Sequence, residues 1–162
     1  MKNKPFALIL GLALSACAPA LDWREVRPAG ADLLALFPCK PEVESRQQPA
    51  AMGLAVCQAA GASFSVSWTE VAEPAQVGPA LAQMREALAT KLQARARPGE
   101  ALQVPGMTPQ LQAQQQALEG GTQPARVAVF ARGLRVYQAT LLGATADPAA
   151  WETFVTGLRL AS

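Results

Sequence analysis

The chain has 162 residues, of which 51% are hydrophobic and 6% aromatic, with 14 basic side chains, 12 acidic ones and no histidine. A formal charge of +2 leaves no excess for a nucleic-acid surface or a polybasic lipid patch. Without histidine, Ser-His-Asp and Cys-His catalysis and histidine-based zinc sites are excluded.

The first element is an export signal: Lys2 and Lys4, an apolar run from Phe6 to Leu14, then the small residues Ser15 and Ala16 before Cys17. The run is too short to span a bilayer, which takes roughly 18 apolar residues, and no later stretch reaches that length. Leu14-Ser15-Ala16-Cys17 resembles the lipobox of bacterial lipoproteins at every position. The resemblance implies cleavage after residue 16, a diacylglyceryl thioether on Cys17 and acylation of its new amino group. An ordinary secretory signal that happens to contain a cysteine is the rival reading. Residue 18 is Ala rather than Asp, which by the same resemblance implies the periplasmic face of the outer membrane, with that of the inner membrane as the alternative. The expected organisation is a cleaved signal over 1–16, a lipidated tether over 17–21 and a single α+β domain over 22–162. Loss of Lys2 and Lys4 with the signal leaves basic and acidic residues equal in number.

With Cys17 assigned to lipid, Cys39 and Cys57 remain, and an even remainder in an oxidising compartment reads as one disulfide. A loop of this size is stabilised by about 3 kcal/mol in the chain-entropy model. A redox couple or a metal site would use the same residues. Both are the weaker reading, because there is no C-x-x-C and the usual histidine ligands are missing.

Strand-like residues Trp23 and Val26 open the domain. Leu33–Phe37 is an apolar run stopped by Pro38, and Val43–Gln47 is a polar, edge-like segment stopped by Pro49. Leu54–Ala59 and Ser63–Val71 form an expected hairpin through Gly61-Ala62. In its second strand Phe64, Val66 and Trp68 alternate with Ser63, Ser65 and Ser67, giving one apolar and one hydroxyl-lined face. The spacing of Val77, Leu81, Met84, Leu88 and Leu92 predicts a helix over about 79–95, ended by Pro98-Gly99. Pro105-Gly106 is a turn. Leu111–Leu118 fits a strand or a short helix, and its glutamines (Gln110, Gln112, Gln114, Gln115, Gln116) suit a solvated sheet face, with ligand binding as the alternative. A second hairpin joins Arg126–Ala131 to Leu134–Leu142 through Arg132-Gly133. The closing helix has Asp147 as N-cap, Pro148 at its first position and an apolar face of Trp151, Phe154, Val155 and Leu158. Leu158–Leu160 is a short extended end.

This order of elements resembles the PsbP/MOG1-like fold, an antiparallel sheet with two main helices packed on it. The likeness rests on Phe37-Pro38-Cys39-Lys40-Pro41, on Gly133-Leu134-Arg135-Val136-Tyr137-Gln138 and on Trp151–Leu160. The final Ser-Phe common in those domains is Gly157-Leu158 here, and Cys39 and Cys57 look like a local addition. Members act mostly as accessory, binding or assembly proteins, so the resemblance implies a fold and transfers no catalytic residue.

No catalytic constellation is legible. Ser63 and Ser67 have no evident base, and Glu42 and Glu44 share one face of an edge strand, where a paired-carboxylate site is conceivable but like charges usually just keep an edge from pairing. Gly120-Gly121 lacks the strand, loop, helix and lysine of a phosphate loop. Arg126, Arg132 and Arg135 flank the second hairpin and could form an anion-binding or partner-facing patch with Arg95 and Arg97 nearby; solvated strand ends are the alternative. The expectation is a non-catalytic envelope lipoprotein without cofactor or metal, attached to the membrane through lipid, that binds or helps assemble a protein partner. The alternative is a carrier or sensor of a small apolar or lipid ligand held between sheet and helix.

Overall fold

The computed structural model describes residues 20–143 and 147–161; Cys17 and the rest of the lipobox lie outside the described residues. In chain order the elements are β1 (Arg24–Val26), β2 (Leu33–Phe37), β3 (Glu42–Arg46), β4 (Met52–Ala59), β5 (Ala62–Glu70), α1 (Val77–Lys91), β6 (Arg95–Ala96), β7 (Glu100–Ala101), β8 (Gln114–Glu119), β9 (Ala125–Arg132), β10 (Arg135–Gly143), α2 (Pro148–Thr156) and β11 (Arg159–Leu160). They form an α+β fold with two antiparallel sheets among the described residues. The larger has eight strands in the order β3-β4-β5-β10-β9-β8-β6, with β7 also on β8; the smaller is β1-β2-β11.

Alternation builds the centre of the large sheet. Phe64, Val66 and Trp68 on β5 are buried, while Ser63, Ser65 and Ser67 between them are half-buried. The β4–β5 loop is Ala60-Gly61, one residue before the expected Gly61-Ala62. Both loop residues take positive φ, 51° and 74°, the requirement of a type I′ turn whose twist suits a hairpin. The β9–β10 loop is shifted one residue the other way, from the expected Arg132-Gly133 to Gly133-Leu134, because Arg132 and Arg135 pair directly. Gly133 leads this loop with φ 56°.

The two faces of the sheet carry separate cores. On one, Val77, Leu81 and Leu92 of the first helical segment pack on Val127, Val129, Ala131 and Val136. Helix α1 starts two residues before the expected position and ends at Lys91 rather than near 95. Gln93 there enters the left-handed region at φ 54°, its N–H donates to Thr90 O, and that of Ala94 donates to Ala89 O. This is a Schellman stop, closed without glycine.

On the opposite face Phe64, Val66, Trp68, Phe130 and Tyr137 lie under the small sheet and α2. Phe154 of α2 meets Phe37 and Phe64 edge-on at centroid distances of 5.3 and 5.5 Å, and Phe130 stacks on Tyr137 at 5.0 Å. Asp147 caps α2 by accepting from the Ala149 N–H at 2.9 Å, and Pro148 follows as expected. Gly53 sits opposite Trp68, whose ring occupies the space where a Cβ on the glycine would collide with it. Cys39 and Cys57 form a disulfide that ties the segment before β3 to β4, with Cα atoms 6.0 Å apart. Among the described residues no helix is long and apolar enough to cross a membrane.

Candidate functional site

Antiparallel register decides where the arginines go. Arg135 opens β10 opposite Arg132 on β9 and Glu70 on β5, and it shares a face with Tyr137, toward the small sheet. The Arg135 side chain is 16% exposed. It donates to the Asp32 carboxylate at 2.5 Å, to the Gly30 carbonyl at 3.2 Å and to Glu70 at 2.7 Å. Two residues along, the Tyr137 hydroxyl donates to the Ala31 carbonyl at 2.8 Å. Side chains of one strand thus clamp three consecutive residues, in a bend where Gly30 and Asp32 both take positive φ.

These groups line an open cleft of about 730 Å³, with Thr108, Arg132, Gly133 and Leu134 completing it. Burial opposes the charge on Arg135, but the hydrogen bond to Glu70, the attraction of the Tyr137 oxygen and the interactions with Asp32 outweigh it and raise its pKa. Burial likewise raises the Tyr137 phenol, against the lowering influence of Arg135. At neutral pH the cleft therefore holds a fixed cation, a neutral phenol and two carboxylates, with the exposed Arg132 at its rim. The cleft is thus polar and of mixed sign, without the excess of positive charge that an anion trap needs.

Arg126 does not join this group. It lies six residues before Arg132, about 20 Å along the strand, opposite Ala117 and Leu141. There it lines a second polar cleft of about 450 Å³ with Arg97, Glu100, Gln115, Glu119 and Trp151. Arg97 pairs with Glu119 at 3.7 Å, and Arg95 lies opposite Glu119 in the ladder. The structure brings Arg132 and Arg135 together and sends Arg126 to the other end of the sheet beside Arg95 and Arg97.

The glutamines are not a solvated face. All five are half-buried; Gln112 and Gln114 accept from Arg85 of α1, and Gln115 accepts from the Trp151 indole at 2.8 Å. They fasten both helices to the edge of the sheet. Glu42 and Glu44 stay exposed on β3. No hydrogen bond links Ser63 or Ser67 to a base among the described residues, and Ser65 shares its hydroxyl with Thr140 at 2.5 Å. No group of acidic or thiol side chains suited to a metal ion occurs among the described residues. A mainly apolar groove of about 500 Å³ runs between α1 and the sheet, lined by Ala80, Met84, Ala87, Leu88 and Val136 with Thr69 and Gln138.

Sequence reasoning found Arg135 and Tyr137 on one strand but missed Asp32 and Glu70, which lie 103 and 65 residues away. The only local signal was Gly30 before Asp32, a turn pair that allows positive φ. No protein-family model matches the chain, and no curated protein is similar enough to count as a relative.

Proposed function

We propose that the chain is an exported lipoprotein, acylated at Cys17 and held at the periplasmic face of the outer membrane, with a PsbP/MOG1-like domain that binds or helps assemble an envelope partner without catalysing a reaction. The observation that carries this reading is the Cys39–Cys57 disulfide. It calls for an oxidising compartment and uses both cysteines of the domain, so the remaining one is Cys17 at the lipobox. The Arg135 cleft supports the binding role. Trp23 packs on Phe64, which is in line with Leu141 and Arg126 across the sheet, whereas the cleft lies at the other end of these strands. The start of the described chain and the cleft therefore lie at opposite ends of these strands.

Metabolic labelling with an alkyne fatty acid tests the anchor: wild type carries label and sediments with membranes, and Cys17→Ser loses both. Retained label in Cys17→Ser would remove the lipoprotein reading. A photo-crosslinking residue at Leu134, at the cleft rim, should give one discrete adduct in intact envelopes that the same residue at Gln58 on β4 does not. Equal, diffuse capture from both positions would count against the binding role.

The groove beside α1 favours a second reading, a carrier of a small apolar ligand between sheet and helix. Native mass spectrometry of the protein released from membranes would then show a retained ligand mass that Ala87→Trp displaces.

A further inference from the structure

The large sheet ends at β3, and every residue of that strand is exposed. Which backbone groups it leaves free follows from the neighbouring hairpin. The two-residue loop Ala60-Gly61 closes on Ala59 and Ala62, which makes that pair hydrogen-bonded, and alternate pairs down to Gly53 and Trp68 are hydrogen-bonded with it. Leu54 and Val56 therefore turn their amides toward β3, where they meet Glu44 and Glu42. Val43 and Ser45, and Gln47 beyond them, are left with N–H and C=O directed away from the sheet. No hydrogen bond reaches these amides among the described residues. Pro41 and Pro49, which have no N–H to give, bracket the segment.

We infer that this edge pairs antiparallel with the same edge of a second copy of the chain, about a two-fold axis at Ser45. Pairing of outward amides allows the axis to fall only on an odd or an even residue whose pairs keep Val43, Ser45 and Gln47 facing their equivalents. With the axis at Ser45, Ser45 opposes Ser45 and Val43 opposes Gln47, so all three outward amides of each copy are used. Glu44 then opposes Arg46 of the second copy, twice, in the wide pairs where side chains come closest. With the axis at Glu44, Glu42 faces Arg46 twice, but Glu44 faces itself and Gln47 meets Pro41; with the axis at Arg46, Arg46 faces itself and Val43 meets Pro49. With the axis at Val43 or Gln47, Ser45 meets Pro41 or Pro49 and loses its partner. The charges that protect the edge from other strands thus pair with no like-charge contact only in the Ser45 register.

Val43 stands at the join with 38% exposure, and Leu54, 41% exposed, lies one strand inside it on β4. The contact is smaller than the roughly 1,000 Å² of a stable interface, so the dimer is a weak one that grows with concentration. Its formation would join the two large sheets edge to edge and bring the hydroxyl-lined half-faces of both copies side by side.

Sedimentation velocity over a concentration series of the detergent-solubilised full chain, with micelles in excess, tests this. Wild type should show a monomer–dimer equilibrium. Glu44→Arg and Arg46→Glu should each weaken it by about tenfold or more, and the double swap Glu44→Arg/Arg46→Glu should restore it. Ser45→Pro should abolish it. Both charged positions are exposed, and circular dichroism verifies that each variant is folded. A wild type that stays monomeric throughout, single variants that associate as well as wild type, or a double swap that fails to recover would each overturn the inference.

Discussion

Tyr137 is the single tyrosine of the chain, and its hydroxyl is committed to the Ala31 carbonyl. Burial raises its pKa above the ordinary phenol value, despite the nearby Arg135. A folded state that holds the proton more tightly than the unfolded chain keeps this contribution in full below about pH 10 and loses it as pH rises through the folded pKa. The near-ultraviolet absorbance of tyrosinate should therefore titrate at higher pH in the native protein than in urea, and coincident midpoints would contradict the assignment. Tyr137→Phe should remove that alkaline limb and cost about 1–2 kcal/mol at neutral pH, since a buried carbonyl loses its donor. At this scale the sequence was legible only where partners are near in the chain. Asp147 could be assigned as a cap because its acceptor role is satisfied two residues on. Arg135 reads as one more strand-end arginine until tertiary structure brings in Asp32 and Glu70.

Between elements, strand alternation and hairpin loops carried most of the information. The serines and aromatics of β5 identified both faces of the sheet, and the apolar spacing of α1 identified the face it buries. The loops slipped by one residue because glycine can take either place in a two-residue turn, and pairing of the flanking strands chooses between them. The glutamine segment was misread for a different reason: an amide row looks solvent-facing until the helices that use it are placed, and neither Arg85 nor Trp151 is local to it. Gly53 was given no role, although it makes room for the buried indole of Trp68. Gly53→Ala should destabilise the protein by about 1–3 kcal/mol through displacement of Trp68, measurable by urea titration of tryptophan fluorescence. An unchanged midpoint would show that the ring moves aside freely.

For the molecule as a whole, the disulfide joins residues 18 apart, and its replacement by Cys39→Ala/Cys57→Ala should lower stability by about 3 kcal/mol. Thermal melts with and without reductant provide the check: wild type should fall to the level of the double variant when reduced. The α+β class, the free edge and the closing helix could be read in advance because each depends on local pattern and on where proline interrupts it. The separation of Arg126 from Arg132 and Arg135 depends on strand length and register, which locate a residue in space only when the whole ladder is known.

The small sheet has a consequence for the order in which the chain can become native. β2 is flanked by β1 on one side and by β11 on the other, and Arg159 is bonded to Glu25, 134 residues earlier. A chain delivered from one end, through a ribosome exit or a membrane channel, cannot complete this three-stranded layer until residues 159 and 160 have emerged to pair with Leu34 and Leu33. Until then the roof over Phe37 and Phe154 is missing a strand, and closure of so distant a contact is slow. The small sheet is thus the part of the fold that closes last, on the final strand of the chain.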